Sequence, residues 1–274
     1  MNKSIIDSYD KTNIYLVKNN IENPKAVVVI VHGLAEYCER YNYLVESLNE
    51  DRLSTYRFDL RGHGKSGSIK GWVEDYNAYV KDLDVIVDIA KKDNPEKPIF
   101  ILGHSMGGFI TSIYGIKFGK KVSGTILSAA ALETPKEAKG IKRLFIKFVN
   151  KISPKFKMKN NLGNLLSRDN KVVDKYNKDP LVLKKVTIKL YYEFLIKGVD
   201  WLKKNLYKFN VDCLILHGEE DRIVDYKSSL NFEKEISSKD KKTIIYENLF
   251  HEIFNEKEKD IVINDVKKWI NNRI

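Results

Sequence analysis

Short apolar runs alternate with stretches of helical spacing along most of the chain. The apolar runs, rich in Val and Ile, lie at 26–33, 54–60, 98–103, 122–130, 211–218 and 242–247. Such nearly continuous apolar runs are typical of parallel strands that are covered on both faces. Apolar residues recur at helical spacing between them, at 41–49, 72–92, 106–118, 228–236 and 257–274. The alternation predicts an α/β fold, with a mostly parallel central sheet flanked by helices.

The alternation stops between about Leu132 and Phe209. Helical spacing dominates this region, and no run in it has the character of a strand. The chain contains no internal repeat and no Gly/Ser-rich or Pro-rich linker that would separate two domains. We therefore expect one core, formed by residues 1–131 and 210–274, with a helical cap inserted at 132–209.

The composition is that of an ordinary globular protein. With 274 residues, of which 43% are hydrophobic and 31% charged, the chain can bury a sizeable core. The first residues lack the apolar run of a secretory signal, and no window reaches the roughly 18 apolar residues of a membrane-spanning helix. The two cysteines, Cys38 and Cys213, fit a reducing compartment better than a disulfide framework. We expect a cytoplasmic protein.

One predicted strand ends in a polar corner, the sequence GHSMGG at 103–108. A Gly-x-Ser-x-Gly pattern between a strand and a helix is that of a nucleophile elbow, which lifts the serine hydroxyl above the sheet. The glycines two positions before and after Ser105 remove side chains that would collide in so sharp a turn. The alternative interpretation is a glycine-rich turn with an incidental serine.

A serine nucleophile requires a base and a third group that orients the base. In an elbow of this kind, the acid and then the histidine follow the serine along the chain. His217 ends a predicted strand, whereas His251 lies in a loop from which it can reach back to Ser105. Asp221 follows the preceding strand at the same sheet edge, where ligands bind in open α/β folds. Three neighbouring carboxylates compete for the role of the acid: Glu219, Glu220 and Asp225.

Acyl transfer also needs backbone donors for the oxyanion of the tetrahedral intermediate. One donor should be the N–H of Met106, the residue after the nucleophile. The second should come from the loop after the strand at 26–33, where the Leu34 N–H is the expected donor. Together with a hydroxyl, an imidazole and a carboxylate, these donors make acyl transfer the natural chemistry.

Two patterns that would indicate a cofactor are weak or missing. The segment GHGKSG at 62–67 satisfies G-x-G-x-x-G, but it continues to another glycine at 71 instead of opening a helix. We interpret it as a structural turn. The sequence contains neither HExxH nor CxxC, so we expect neither a metal nor another cofactor.

Five segments of the chain resemble the α/β-hydrolases, and within them the monoacylglycerol lipase and lysophospholipase group. They are HGLAEYCERY at 32–41, FDLRGHGKSG at 58–67, GHSMGG at 103–108, HGEEDRIVD at 217–225 and FHEIFNE at 250–256. The resemblance implies that the nucleophile, acid and base are Ser105, Asp221 and His251. It also implies that Leu34 and Met106 form the oxyanion hole.

The resemblance further implies the substrate class. It places Glu36 and Arg40 near the polar head of a lipid ester, such as a monoacylglycerol or a lysophospholipid. Some monoacylglycerol lipases carry a second histidine three positions after the catalytic one, where this chain has Phe254. One alternative is an esterase or thioesterase that cleaves small soluble esters. Another is a hydrolase-like protein that only binds a ligand.

The net charge of +11 is concentrated at residues 136–159, which hold nine basic residues and one acid, Glu137. Apolar residues at helical spacing form one face among them: Ile141, Leu144, Phe145, Phe148, Val149 and Ile152. A basic amphipathic helix of this kind indicates contact with an anionic membrane surface. The alternative is that the face covers the substrate pocket while the lysines stay solvated. We expect no nucleic-acid binding, because the aromatic residues belong to the apolar face.

Overall fold

The structure, a computed structural model, describes residues 1–135 and 138–274. Its strands are β1 (Asn2–Asp7), β2 (Asn13–Asn19), β3 (Ala26–Val31), β4 (Leu53–Phe58), β5 (Ile99–His104), β6 (Gly124–Ser128), β7 (Lys157–Lys159), β8 (Lys185–Thr187), β9 (Cys213–Gly218) and β10 (Lys241–Tyr246). Its α-helices are α1 (Asn42–Glu50), α2 (Asn77–Asp93), α3 (Met106–Phe118), α4 (Gly140–Ile152), α5 (Asn170–Lys178), α6 (Ile188–Tyr191), α7 (Val199–Asn205), α8 (Lys227–Glu235) and α9 (Lys259–Asn271). A π-helical segment, Tyr192–Gly198, joins α6 to α7.

Eight strands form one central sheet in the order β1-β2-β4-β3-β5-β6-β9-β10. The six strands from β4 to β10 in that order run parallel, while β1 and β2 are antiparallel at one edge. The predicted α/β fold with a mostly parallel sheet is therefore confirmed. The edge hairpin of β1 and β2 was not predicted. Strand β1 is exposed or half-buried along its whole length and shows no continuous apolar run, whereas the buried apolar run of β2 at 14–17 was missed.

The core lies on both faces of this sheet, which explains the continuous apolar strands. Strand β3 is buried along its whole length, and its side chains alternate between two clusters. Val27, Val29 and Val31 pack with residues of α2 and α3 on one face. Val28 and Ile30 pack with residues of α1 and α9 on the other face. A strand between two helical layers needs apolar side chains at every position.

The glycine-rich segment at 62–67 forms a turn after β4, as predicted. Gly62 and Gly64 have φ angles of +73° and +43°, a region that favours glycine. The Lys70 ammonium donates to three carbonyl oxygens inside the turn at 2.6–3.3 Å. No helix opens at this turn, and α2 begins only at Asn77 instead of at the predicted position 72.

The described part of residues 132–209 lies between β6 and β9 and adds no strand to the central sheet. It nevertheless contains β7 and β8, which pair antiparallel as a separate ribbon. The expectation that this region has no strand is therefore wrong, because strands of three residues are too short to show a pattern. Its Leu183 N–H donates to the Ala35 carbonyl oxygen at 2.8 Å, which ties it to the loop after β3.

The apolar face of α4 points to solvent and is not packed over a pocket. Its exposed fractions are 82% for Ile141, 64% for Leu144, 64% for Phe145, 61% for Phe148 and 64% for Ile152. Arg143 of the same helix pairs with Asp200 of α7. Lys136 and Glu137 of the predicted basic segment lie outside the described residues. Among the helices of 1–135 and 138–274, none is long and apolar enough to cross a bilayer.

Candidate active site

Ser105 occupies the sharp turn between β5 and α3. Its φ of 53° and ψ of −116° are unusual for a residue with a side chain. Three backbone hydrogen bonds hold this conformation. The Ser105 N–H donates to the Ser128 oxygen at 2.9 Å, and the Ser105 oxygen accepts from Phe109 and Ala131, each at 3.1 Å. The serine is half-buried, so its side chain remains accessible at the edge of the sheet.

Gly103 and Gly107, on either side of Ser105, lie so close to neighbouring atoms that no side chain would fit. A Cβ atom on Gly107 would overlap the carbonyl oxygens of Val31 and His32. One on Gly103 would overlap the Thr111 side chain and the Gly107 oxygen. The steric reason for the Gly-x-Ser-x-Gly pattern is thereby confirmed, and the close fit brings the loop after β3 against the elbow.

That loop, residues 33–36, is called the oxyanion loop below. Gly33 lies against the serine, because a Cβ atom on Gly33 would be 3.2 Å from the Ser105 Cβ. The next N–H, of Leu34, and the N–H of Met106 donate to no acceptor within the described residues. An oxyanion hole requires backbone N–H groups of this kind, which have no acceptor in the protein and lie beside the nucleophile.

Asp221 and His251 meet at the same edge of the sheet. Asp221 Oδ2 lies 2.6 Å from His251 Nδ1, and both side chains are buried. Asp221 Oδ1 accepts from the backbone N–H groups of Ile223 and Val224 at 2.8 Å and 3.0 Å. With the proton on Nδ1 facing the carboxylate, Nε2 of His251 is left as the basic atom. The competing carboxylates Glu219, Glu220 and Asp225 form no hydrogen bond with His251 in the described structure.

The charges of this pair stabilise each other. Burial raises the pKa of Asp221, but the charge of His251 and the hydrogen bonds from His217 and His251 outweigh it and hold the pKa well below its usual range. Burial lowers the pKa of His251, but the charge and hydrogen bond of Asp221 outweigh it and raise the pKa above its usual value. An imidazole held in this way is a stronger base than a free one.

The imidazole of His251 packs against His104, the residue before Ser105, with ring centroids 4.7 Å apart. This contact places the His251 imidazole beside the elbow. The Ser105 hydroxyl forms no hydrogen bond with any described residue, and such contacts are often long until a substrate is bound. Burial, together with the charge of His251, lowers the pKa of His104 to about 4, so His104 is neutral. The sequence had predicted no function for His104.

His217 is a second histidine in contact with Asp221, and the sequence interpretation missed this contact. Its Nε2 lies 3.0 Å from Asp221 Oδ2 and 3.0 Å from the Val224 oxygen. Because both neighbours are acceptors, Nε2 carries the proton, and Nδ1 accepts from the Ser229 hydroxyl at 2.8 Å. Asp221 therefore accepts four hydrogen bonds, two from backbone N–H groups and two from histidine N–H groups. The only signal in the sequence was the position of His217 at a strand end, four residues before the acid.

Glu36 and Arg40 lie in a buried ion cluster with Glu252, a residue that the sequence interpretation did not single out. Arg40 Nη1 is 2.8 Å from Glu36 Oε2, and the guanidinium pairs with both oxygens of Glu252 at 2.5 Å and 2.8 Å. The side chains of Glu36 and Arg40 are only 4% and 8% exposed. Burial raises the pKa of Glu36, but the Arg40 charge, the neighbouring histidines and the hydrogen bond from the Gly33 N–H together outweigh it and lower the pKa to about 2.

Within the described residues, no cluster of three or more His, Cys, Asp or Glu side chains is arranged to hold a metal ion. The two cysteines, Cys38 and Cys213, are buried and not bonded to each other. The arrangement around Ser105 therefore offers a hydroxyl, a buried imidazole–carboxylate pair and backbone donors. These groups are the components of covalent acyl transfer.

The chain is similar in sequence to a known hydrolase family and to known lipases. Residues 22–258 match the family Hydrolase_4, described as serine aminopeptidase, S33. The chain is 31% identical to a monoacylglycerol lipase of Mycolicibacterium smegmatis, over 94% of this chain and 92% of that protein. It is 29% identical to phospholipase YtpA of Bacillus subtilis, over 90% of this chain and 96% of that protein.

A solved structure shows the same architecture. The crystal structure of a monoacylglycerol lipase from Paleococcus ferrophilus superimposes with a TM-score of 0.86 at 28% sequence identity. The match covers 95% of this chain and 99% of that one.

Proposed function

Since the chain belongs to the Hydrolase_4 family of α/β-hydrolases and is a carboxylic ester hydrolase, we propose that it is a monoacylglycerol lipase. In this proposal Ser105, Asp221 and His251 are the nucleophile, the acid and the base. The observation that carries the proposal is the buried pair of Asp221 and His251, at 2.6 Å, packed beside the strained serine elbow. The similarity to monoacylglycerol lipases supports the substrate.

The proposed reaction passes through an acyl-enzyme. The Ser105 hydroxyl attacks the ester carbonyl while His251 Nε2 takes its proton, and Asp221 stabilises the imidazolium that forms. The N–H groups of Leu34 and Met106 donate to the oxyanion, and each such donor typically contributes about 2.7–4 kcal/mol to transition-state stabilisation. His251 then gives its proton to the departing alcohol. Water repeats the sequence on the acyl-enzyme and releases the fatty acid and free Ser105.

We also propose that residues 132–209 form a cap over the site, inserted in a core of residues 1–131 and 210–274. The support is the contact of this region with both loops of the site. Leu183 donates to Ala35 in the oxyanion loop, and the Leu166 oxygen accepts from the N–H of Glu252, next to the base. A cap in this place would shield the acyl-enzyme from bulk water.

The exposed face of α4 supports a further part of the proposal, docking of the cap on an anionic lipid surface. Five large apolar side chains of α4 are more than 60% exposed. Exposed lysines flank them at 142, 147 and 151, and each lysine near an anionic leaflet can contribute about 1 kcal/mol. Lipid esters reside in such a surface.

The two unbonded cysteines support a cytoplasmic location.

Sedimentation with vesicles tests the docking. The double variant Phe145→Ser/Phe148→Ser should bind vesicles containing phosphatidylserine at least about tenfold more weakly than the wild type, since each buried phenyl group contributes about 1.5–3 kcal/mol. Tyr207→Ser is the matched control, because Tyr207 is equally exposed at 65% but lies outside α4. Equal binding of the double variant and the wild type would contradict the docking surface.

A lysophospholipid is the second candidate substrate, supported by the similarity to phospholipase YtpA. Initial rates on a long-chain monoacylglycerol, the matching lysophospholipid and a short soluble ester separate the candidates. We expect the highest kcat/KM on the monoacylglycerol and a loss of at least about 10³-fold in Ser105→Ala. A preference for the lysophospholipid would select the second candidate. A preference for the short ester would refute the proposal of a lipid substrate, but the protein would still be an ester hydrolase.

A further inference from the structure

We propose that the ion cluster of Glu36, Arg40 and Glu252 positions the catalytic base and the oxyanion loop, and does not contact the polar head of the substrate. This inference deepens the proposed function and rests on it, because it assigns a role to residues around His251. It replaces the substrate contact that the sequence resemblance implied for Glu36 and Arg40.

Arg40 is enclosed by groups that already satisfy it. Its guanidinium forms contacts of 2.5–2.8 Å with Glu36 and Glu252, and the pairing with Glu252 is bidentate. The ring of Tyr176, from α5, covers the guanidinium, with 4.8 Å between the guanidinium carbon and the ring centroid. A planar guanidinium held by two carboxylates and a ring has little surface left for a substrate.

The cluster joins loops on both sides of the nucleophile. Glu36 Oε1 accepts the N–H of Gly33, the first residue of the oxyanion loop, at 2.6 Å. Glu252 follows His251 directly, and its own N–H donates to the Leu166 oxygen at 2.8 Å. One bidentate arginine therefore fixes the oxyanion loop, the loop of the base and the proposed cap relative to one another. Displacements of about 1 Å in such a site lower rates by roughly 100-fold.

The cluster also sets the charge beside the base. The charged and titratable groups around His251 come from four segments: Asp221 after β9, His104 of β5, Glu36 after β3, and Glu252 in the loop of the base. Arg40 pairs with both Glu36 and Glu252. Glu252 and Glu36 add to the effect of Asp221 in raising the pKa of His251. Two carboxylates and one guanidinium leave the cluster with one net negative charge, which favours the imidazolium formed during the reaction.

Four variants separate positioning from charge. Arg40→Lys keeps the charge of the cluster but loses the bidentate pairing. Arg40→Met leaves two negative charges, Glu252→Gln leaves none, and the double variant Arg40→Met/Glu252→Gln restores one. The readouts are kcat, KM and the acid limb of the pH profile of kcat/KM, measured on a long-chain monoacylglycerol. Thermal unfolding of each variant shows whether it is folded.

We expect Arg40→Lys to lower kcat at least about tenfold, with little change in KM and in the acid limb. The acid limb should move up by roughly 1 pH unit in Arg40→Met and down in Glu252→Gln. It should return towards the wild-type position in the double variant. If Arg40→Met does not fold, Arg40→Lys and Glu252→Gln decide between the outcomes.

Arg61→Lys is the matched control, because the Arg61 side chain is 9% exposed and is also held by two carboxylates, Asp10 and Asp82. It should leave kcat, KM and the acid limb unchanged. A raised KM with unchanged kcat in Arg40→Lys, or folded charge variants with an unmoved acid limb, would overturn the inference. Failure of the proposed function would appear elsewhere, as full activity in Ser105→Ala.

Discussion

Replacing Asp221 with asparagine removes one buried negative charge while keeping the shape of the side chain. In the structure, Oδ1 accepts two backbone N–H groups at 2.8 Å and 3.0 Å. Oδ2 faces His217 Nε2 at 3.0 Å and His251 Nδ1 at 2.6 Å. Since all four neighbours present N–H groups, an amide NH₂ cannot replace either oxygen without facing donors.

The amide has two orientations, of which the first lowers the stability of the site and the second disables the base. If its NH₂ faces the backbone, two buried N–H groups lose their acceptor. If its NH₂ faces the imidazoles, Nδ1 of His251 must accept, and the proton moves to Nε2, which then cannot take a proton from Ser105. We therefore expect kcat of Asp221→Asn to fall roughly 10³–10⁴-fold, which corresponds to about 4–5.5 kcal/mol.

The same variant tests the pH dependence of stability. A carboxyl group whose pKa is depressed in the folded state stabilises the fold above its unfolded pKa of about 4, and this contribution is lost as the pH falls through the folded value. The pKa of Asp221 is depressed in this way. In the wild type the raised pKa of His251 offsets this loss, because the folded state binds the proton of His251 more tightly than the unfolded state does. In Asp221→Asn burial lowers the pKa of His251, so stability is lost as the unfolded state takes up that proton. We therefore expect Asp221→Asn to lose more free energy of unfolding between pH 7 and pH 3 than the wild type does. Denaturant unfolding at the two pH values measures the difference.

Initial rates on a soluble ester measure the loss of kcat without interference from lipid surfaces. Asp225→Asn is the matched control, because Asp225 accepts the Lys227 N–H at 3.0 Å at the start of α8 and touches no histidine in the described structure. Its kcat should stay within about twofold of the wild type. If folded Asp221→Asn kept more than about a tenth of the wild-type kcat, the assignment of Asp221 as the acid would be refuted.

Three further predictions concern His251, His217 and Gly107. The acid limb of kcat/KM should lie above pH 6.5, the unperturbed pKa of His251, because that pKa is raised and the base must be deprotonated; a limb below pH 6.5 would contradict this. His217→Gln keeps a donor and should retain more activity than His217→Leu, which leaves the Ser229 hydroxyl unpaired and should lower the free energy of unfolding by about 1–3 kcal/mol. Gly107→Ala should lower the free energy of unfolding by at least about 3 kcal/mol in denaturant unfolding, because the alanine Cβ would overlap the Val31 oxygen.

The central strands were predictable because both of their faces are buried, so that β3 is apolar at every position. The edge strand β1 and the three-residue strands β7 and β8 were not, because exposure or shortness removes the pattern. Ser105, Asp221 and His251 were selected as the candidate triad from a local motif and from the rule that the carboxyl ends of parallel strands share one edge.

The surroundings of these residues depend on contacts that sequence spacing does not reveal. Arg40 and Glu252 are separated by 212 positions, and only the folded sheet brings them together. His217 has the appearance of a strand-end residue, and its bond to Asp221 depends on how the following loop turns. The resemblance indicated that Glu36 and Arg40 belong to the site, but it gave no information on whether they face the substrate or each other.

Covalent labelling tests the central claim most directly, namely that Ser105 is the nucleophile. The folded wild type is treated with a fluorophosphonate, and the modified peptide is identified by mass spectrometry. We predict one adduct, on Ser105 within the segment 103–108, and no adduct in Ser105→Ala. A wild type that stays unlabelled, or a Ser105→Ala variant labelled as fast as the wild type, would contradict the account.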